Sequence, residues 1–219
     1  RKERIDELAQ QLTRELKINA LAVQLDVTVN ADVERTFSSL PTEWKKIDIL
    51  VNNAGLARGL AKFHEGNVQD WEEMINTNVK GLMYVTRAVL PGMVERNTGH
   101  VINIGSIAGH QTYPMGNVYS ASKFAVTGLT RSLKMDLLGT AVRVSSVDPG
   151  LVQTEFSQVR FRGDRERGSK TYAGMTPLRP EDVAEVVVFC ATRPAHVSIG
   201  EVTVTPTDQA TVSMVHRRT

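Results

Sequence analysis

Tyr119 and Lys123 stand four residues apart near the start of a helix-patterned segment, so both side chains project from one face. A phenol with an unperturbed pKa near ~10 handles protons poorly at neutral pH, and an adjacent ammonium stabilises the phenolate and lowers that value. The pair therefore reads as a general acid/base, with Lys123 as the tuning charge. Both extend the apolar stripe of Val126, Leu133 and Leu137, where a phenol and an ammonium are costly unless each finds a partner. Ser106 closes an earlier apolar run. Its hydroxyl can hydrogen-bond the oxygen on which charge develops while Tyr119 supplies the proton; the plainer alternative is a turn serine satisfying local backbone. Asn78 falls on a buried stripe between Ile75 and Leu82, where an unpaired amide costs roughly 1–3 kcal/mol. It bonds a neighbouring backbone group and kinks the helix, holds a water near the reaction centre, or does both.

Elements must bring these residues together. Ile5, Leu8, Leu12 and Leu16 at helical spacing predict an amphipathic helix over 1–16. The apolar run 20–27 reads as a strand, 31–39 as a helix capped by Asn30, and 47–51 as a strand. One long helix is expected from Trp71 to Val94, then a strand at 101–104, a helix at 117–138 and a strand at 142–147. Pro180 opens a helix over 181–192, and a last strand follows at 202–205. Strands alternating with helices imply an α/β fold, a doubly wound, mostly parallel sheet covered on both faces. Ligands bind such sheets beyond the carboxyl ends of the strands. Asp26, Asn53 to Gly55, Gly105 with Ser106, and Asp148 to Gly150 should thus share one edge. The irregular segment 151–179 is longer than an ordinary connection and reads as a lid.

At 219 residues the chain is expected to form one domain, residues 1–219, and 41% hydrophobic with 23% charged residues is ordinary for a globular protein. A net charge of +2 with interleaved signs and only 5% aromatic residues argues against nucleic acid as a partner. No apolar run approaches the ~18 residues of a spanning helix, so no membrane partner is expected. The lone cysteine, Cys190, excludes an intrachain disulfide and a Cys-pair zinc site. Its apolar neighbours suit simple burial, and no metal is expected. A reducing, cytoplasmic setting is the expectation.

Asn78-Val-Lys-Gly81, Ser106, Tyr119-Ser-Ala-Ser-Lys123, Asn52-Asn-Ala-Gly55 and Pro149-Gly-Leu-Val-Gln-Thr154, in this order and spacing, resemble the short-chain dehydrogenase/reductase family over nearly the whole chain. The resemblance implies that Tyr119 is the catalytic acid/base, that Lys123 also binds the nicotinamide ribose, that Ser106 orients the substrate carbonyl, and that Asn78 supports a water-linked proton relay. It implies that Asp26 and Val27 contact adenine, that Asn53, Ala54 and Gly55 border the adenosine ribose, and that Pro149, Gly150, Val152 and Thr154 hold the nicotinamide amide. The stretches around Ile47–Ala57, Ala88–Asn97 and Thr154–Asp164 are similar to the branch of NADP-dependent 3-hydroxy acid dehydrogenases, which act on serine, allo-threonine and similar acids. By that likeness Arg1 meets the 2′-phosphate of NADP, NAD is the less expected cofactor, and the chain forms a homotetramer whose partners receive the tail Met214–Thr219.

The lid carries six basic residues against three acidic ones, most of which a solvated loop explains. A small anionic substrate needs one or two arginines, because Arg grips a carboxylate with two hydrogen bonds. Arg160 and Arg162 are the candidates, flanking the aromatic stretch nearest Thr154. No two of the 16 glycines stand two positions apart, so the family's glycine-rich phosphate turn does not occur in these 219 residues. The resemblance places that turn, with its strand, helix and second strand, ahead of Arg1. The expectation is hydride transfer between NADP and the hydroxyl carbon of a short 3-hydroxy acid. Reduction of another small anionic aldehyde, such as a semialdehyde or sulfoacetaldehyde, is an alternative, as is a dinucleotide-binding protein without turnover.

Overall fold

The computed structural model describes residues 1–218; of the tail expected to meet partner chains, Thr219 lies outside the described residues. Two helices come first, α1 (Lys2–Leu16) and α2 (Asn30–Ser39), followed by strand β1 (Ile49–Asn52). Then follow α3 (Val68–Ile75), a π-helical turn over Asn76–Gly81, α4 (Leu82–Glu95) and β2 (Gly99–Ile104). The remainder is α5 (Asn117–Asp136), β3 (Val142–Pro149), the short helices α6 (Phe156–Arg160) and α7 (Arg165–Lys170), α8 (Pro180–Ala191) and β4 (Glu201–Val204).

The four strands form one parallel sheet in the order β1-β2-β3-β4. Neighbouring residues on β2 serve opposite faces, as strand periodicity demands. Val101 joins Val89, Met93, Leu137 and Val144 on one side, whereas Ile102 joins Val147 and Cys190 on the other, where Val183, Val186 and Val187 of α8 pack. With both faces buried, polar side chains within the sheet must pair among themselves. Asn52 donates to Thr86 Oγ1 and to Asn103 Oδ1, both at 2.9 Å, and Asn103 donates to Thr130 Oγ1 at 2.9 Å. This chain of bonds locks α4, β1, β2 and α5 together at the carboxyl end of the sheet.

Two expected elements take a different form. Residues 20–27 do not form a strand: no neighbour among the described residues supplies ladder bonds, and Leu21 and Val23 stay exposed. The outer edge of β1 is likewise unpaired among the described residues, with Ile49 and Val51 exposed. The long helix from Trp71 is interrupted by the π turn, which contains Asn78. The lid is more ordered than a plain loop. It holds α6 and α7, and its base is closed by a Val152–Leu178 bridge with Gln153 N–H donating to Leu178 O at 2.8 Å. Among the described residues no helix is long and apolar enough to cross a membrane.

His100 of β2 is buried, with Nε2 2.7 Å from Ser145 Oγ. Ser145 itself donates to Ile199 O at 2.6 Å, so its oxygen accepts from Nε2–H, and Nδ1 has no partner among the described residues. Burial, aided by the nearby charge of Arg143, pushes this imidazole down to about 4. An unfolded chain binds the proton near the usual 6.5, so between that value and about 4 the unfolded state holds more protons and stability falls as pH drops. His100→Gln is expected to remove this dependence. Melting curves of wild type should lose several degrees more than the variant between those pH values.

Candidate active site

The carboxyl ends of β2 and β3, the start of α5 and the lid enclose a cleft of about 540 Å³. Asn53, Gly55, Ser106, Tyr119, Lys123 and Pro149 line it, as do Gly150, Val152, Thr154 and Arg160. Ser106, Tyr119, Lys123 and the expected nicotinamide-side residues are thus brought together, whereas Asn78 does not line the cleft and sits behind Gly55. They are buried as well: Tyr119 is 9% exposed, Ser106 8%, Lys123 6% and Asn78 2%.

Each side chain has a local reason for its place. Tyr119 and Lys123 lie in the first two turns of α5, which packs under β3 and is bonded to β2 through Thr130 and Asn103. Lys123 Nζ donates to Ile104 O at 2.9 Å; an ammonium has three donors, so two are left for other acceptors. A Cβ built on Gly55 would sit 3.7 Å from that nitrogen and 3.4 Å from Asn78 Oδ1, so glycine keeps the approach to both open. Gly105 is a harder requirement, because a Cβ there would fall 1.9 Å from Asp148 Oδ1. Asp148 is fully buried, accepts from Ser146 Oγ at 2.6 Å and pairs with His110 Nε2 at 3.0 Å. Ser106 Oγ accepts from Ala108 N–H at 3.1 Å, capping a short turn, and donates to Pro149 O at a long 3.4 Å. The turn role and the site role therefore coincide in one hydroxyl.

Asn78 is nearly spent on structure. Its Oδ1 accepts from Leu56 N–H at 2.8 Å, and Nδ2 donates to Leu56 O at 2.8 Å and to Ser122 Oγ at 3.0 Å. Both donors are used, which leaves one lone pair of Oδ1 for a water. The widened π turn and the amide together clip the chain after β1 onto α5.

The electrostatics differ from the expected tuning of Tyr119 by Lys123. Burial pushes the phenol up to about 12; the Ser106 hydroxyl and Arg160 act against this, and Tyr113 adds to it. Burial also brings Lys123 down to about 8, opposed by the charge of Asp148. Desolvation outweighs the pairing because the ammonium's recorded bond runs to Ile104 O and not to the phenol.

The two lid arginines part ways. Arg160 turns into the cleft, with its guanidinium carbon 5.6 Å from the centre of the Tyr119 ring. Arg162 turns out, pairing with Asp70 and lying 3.7 Å from Glu73, and it does not line the cleft. Of the expected adenosine-side residues, Asp26 is exposed and bonds Thr28, and Val27 packs on Gly81. Arg1 is also outside the cleft lining, 2.9 Å from Glu155, which Arg4 and Arg1 hold down at about 2. Within this single chain the tail folds back: Arg217 donates to Thr171 O at 3.1 Å and Arg218 pairs with Asp208 at 2.9 Å. Tyr113, Gln209 and Arg217 line the cleft without having been singled out by sequence. Their contacts are long-range, and no local spacing marks them.

Comparison with known proteins agrees with this geometry. The family model described as short chain dehydrogenase matches residues 1–165. The NADP-dependent 3-hydroxy acid dehydrogenase YdfG of Salmonella typhi is 55% identical over 213 residues, covering 96% of this chain and 86% of that protein. Its counterpart in Escherichia coli strain K12 is 53% identical over 217 residues, 98% of this chain and 88% of that protein. Among solved structures, the closed form of serine dehydrogenase complexed with NADP+ superposes with a TM-score of 0.90 at 53% identity, over 97% of this chain and 86% of that one. The ordered motifs, the parallel sheet and the buried Ser106, Tyr119 and Lys123 place this chain in the short-chain dehydrogenase family.

Proposed function

We propose that the protein is an NADP-dependent dehydrogenase that oxidises the hydroxyl carbon of a short 3-hydroxy acid, with serine and allo-threonine as candidate substrates. The observation that carries this reading is Arg160: a permanent cation stands over the ring of the proton-handling Tyr119, in the one cleft that also holds Ser106 and Lys123. The similar proteins named for NADP and for 3-hydroxy acids or serine support the same choice.

The residues fit the cofactor at its nicotinamide end. Lys123 has two free donors beside Gly55, suited to ribose hydroxyls, and the main chain from Pro149 to Thr154 borders the same cleft. Bound NADP supplies the hydride acceptor. Tyr119 takes the proton from the substrate hydroxyl as its phenolate, the form that the Ser106 hydroxyl and the charge of Arg160 favour against burial; Ser106 holds that oxygen, and Arg160 holds the carboxylate. In the reverse direction the same groups reduce a small anionic aldehyde, with Tyr119 as the acid. For Asp26, Val27 and Arg1 the proposed adenosine and 2′-phosphate contacts rest on the family likeness alone, as does a homotetrameric assembly.

Removing the phenolic hydroxyl tests the assignment. Tyr119→Phe is expected to lower kcat by about 10²–10⁴-fold while NADPH still binds; a variant that keeps near wild-type turnover contradicts it. The buried ammonium gives a second test. In the fold Lys123 holds its proton only to about 8, against 10.5 in an unfolded chain. Below about 8 the buried charge costs stability, and between those values the unfolded state binds more protons, so stability rises with pH. Lys123→Met should therefore be the more stable protein near neutrality, with an advantage of up to about 3 kcal/mol that shrinks as pH rises through this range. Denaturant titrations of both proteins across that range check it.

A further inference from the structure

Among the described residues one side-chain ammonium and one carboxylate are buried, Lys123 and Asp148, and they meet the main chain at neighbouring residues. Lys123 Nζ donates to Ile104 O at 2.9 Å, and the Asp148 carboxylate lies against Gly105, where a Cβ would collide with Oδ1. Gly105 N–H in turn donates to Val147 O at 2.8 Å, so the strand ends beside the two charges are tied together. Lys123 lines the cleft and Asp148 does not. A lone buried charge is costly, and an opposite charge close by lowers that cost.

Asp148 is held from outside the cleft. Its Oδ1 accepts from Ser146 Oγ at 2.6 Å, and its Oδ2 lies 3.0 Å from His110 Nε2. These two donors satisfy a carboxylate that burial strips of water. The His110 side chain is 25% exposed and does not line the cleft, so it meets solvent elsewhere. It follows the short turn Ile107–Gly109, which packs on α5 at the lysine: a Cβ on Gly109 would fall 2.8 Å from Lys123 O. The other charged and titratable groups around the pair lie on two sides. Tyr119 and Tyr113, with Arg160 beside both rings, face the cleft. Beyond His110 stands Glu201 of β4, 2.7 Å from Arg131 of α5 and close to Lys134. Of all these, it is the charge of Asp148 that opposes the effect of burial on Lys123.

We propose that Asp148 is a positioning residue for the reaction: fixed by His110 and Ser146, its carboxylate keeps Lys123 an ammonium, so that the lysine's charge and free donors stay available to the phenolate of Tyr119 and to the cofactor ribose. The role in turnover rests on the functional reading above, but the charge on Lys123 can be followed without turnover. The test is NMR of the full chain carrying carbon-13 at the lysine ε-carbons, with the Lys123 signal assigned by its loss in Lys123→Met. Wild type should titrate at about 8. Asp148→Asn, which keeps the shape and removes the charge, should titrate about one pH unit lower. His110→Arg sets a permanent cation on the same carboxylate and should also lower the titration. His110→Gln, which offers Oδ2 a neutral N–H, should stay within about 0.3 unit of wild type, a twofold change in proton affinity. The limb of the kcat/KM profile that follows Lys123 should move with the NMR titration, whereas a purely structural contact, once lost, lowers kcat/KM at every pH and leaves the lysine titration in place. A shift below about 0.3 unit in Asp148→Asn overturns the proposal. Where that variant does not fold, the same result in His110→Arg, at a partly exposed position outside the cleft, overturns it. A shift in His110→Gln as large as that in Asp148→Asn also does, because the carboxylate is then not the group that matters. Failure of the functional reading shows elsewhere, as absence of NADPH formation from 3-hydroxypropionate by wild type whatever the titration gives.

Discussion

An ammonium at 6% exposure, bonded to the Ile104 carbonyl and facing the cleft, is the constraint around which the rest of this fold is arranged. A buried charge is tolerated only where backbone acceptors and compensating charge reach it. The carboxyl end of a parallel sheet provides both. β2 ends on the Ile104 carbonyl, and β3 carries Asp148 just before its last residue, with a carboxylate that fits because residue 105 is glycine. Phenol and ammonium then share the α5 face that the sheet covers, and the cost of desolvating them is visible in the direction each titration moves.

Around that centre, ordinary packing devices place the remaining groups. The Asn52–Asn103–Thr130 chain holds the strand ends in register with α4 and α5. The π turn lets Asn78 reach the Leu56 backbone and Ser122 at once, which clips the loop after β1 against α5. That loop continues into the Gly59 turn, and the turn holds Arg160. Positioning therefore runs without a break from the sheet to the residue best placed to grip an anion.

Much of this was legible from residue types and spacing. Tyr119, Lys123, Ser106 and Asn78 stood out because each is polar where the pattern demands apolar or closes a strand, and such conflicts are where sites occur. Alternation of strands and helices gave the parallel sheet. What was not legible depended on distant partners. Residues 20–27 have strand composition but find no strand beside them among the described residues, since β propensity needs a neighbour to become a ladder. Arg160 and Arg162 are two apart on one short segment and looked equivalent, yet Asp70 draws Arg162 away while Gly59 and Tyr113 draw Arg160 in. Tyr113 carries no local mark because its partner lies 47 residues further along the chain. The effect of the lysine on the phenol is pairwise, whereas burial, which depends on the whole fold, is the larger effect on both groups.

The claim that unites these observations is that hydride leaves the carbon whose hydroxyl sits between Tyr119 and Ser106 and passes directly to bound NADP. The most direct measurement is the fate of a label: 3-hydroxypropionate carrying deuterium on its hydroxyl-bearing carbon is incubated with the protein and NADP, and the reduced cofactor is analysed by mass spectrometry and NMR. The account predicts deuterium on the nicotinamide ring of the NADPH formed. NADPH free of deuterium, or no NADPH from this acid, serine or allo-threonine, would contradict it.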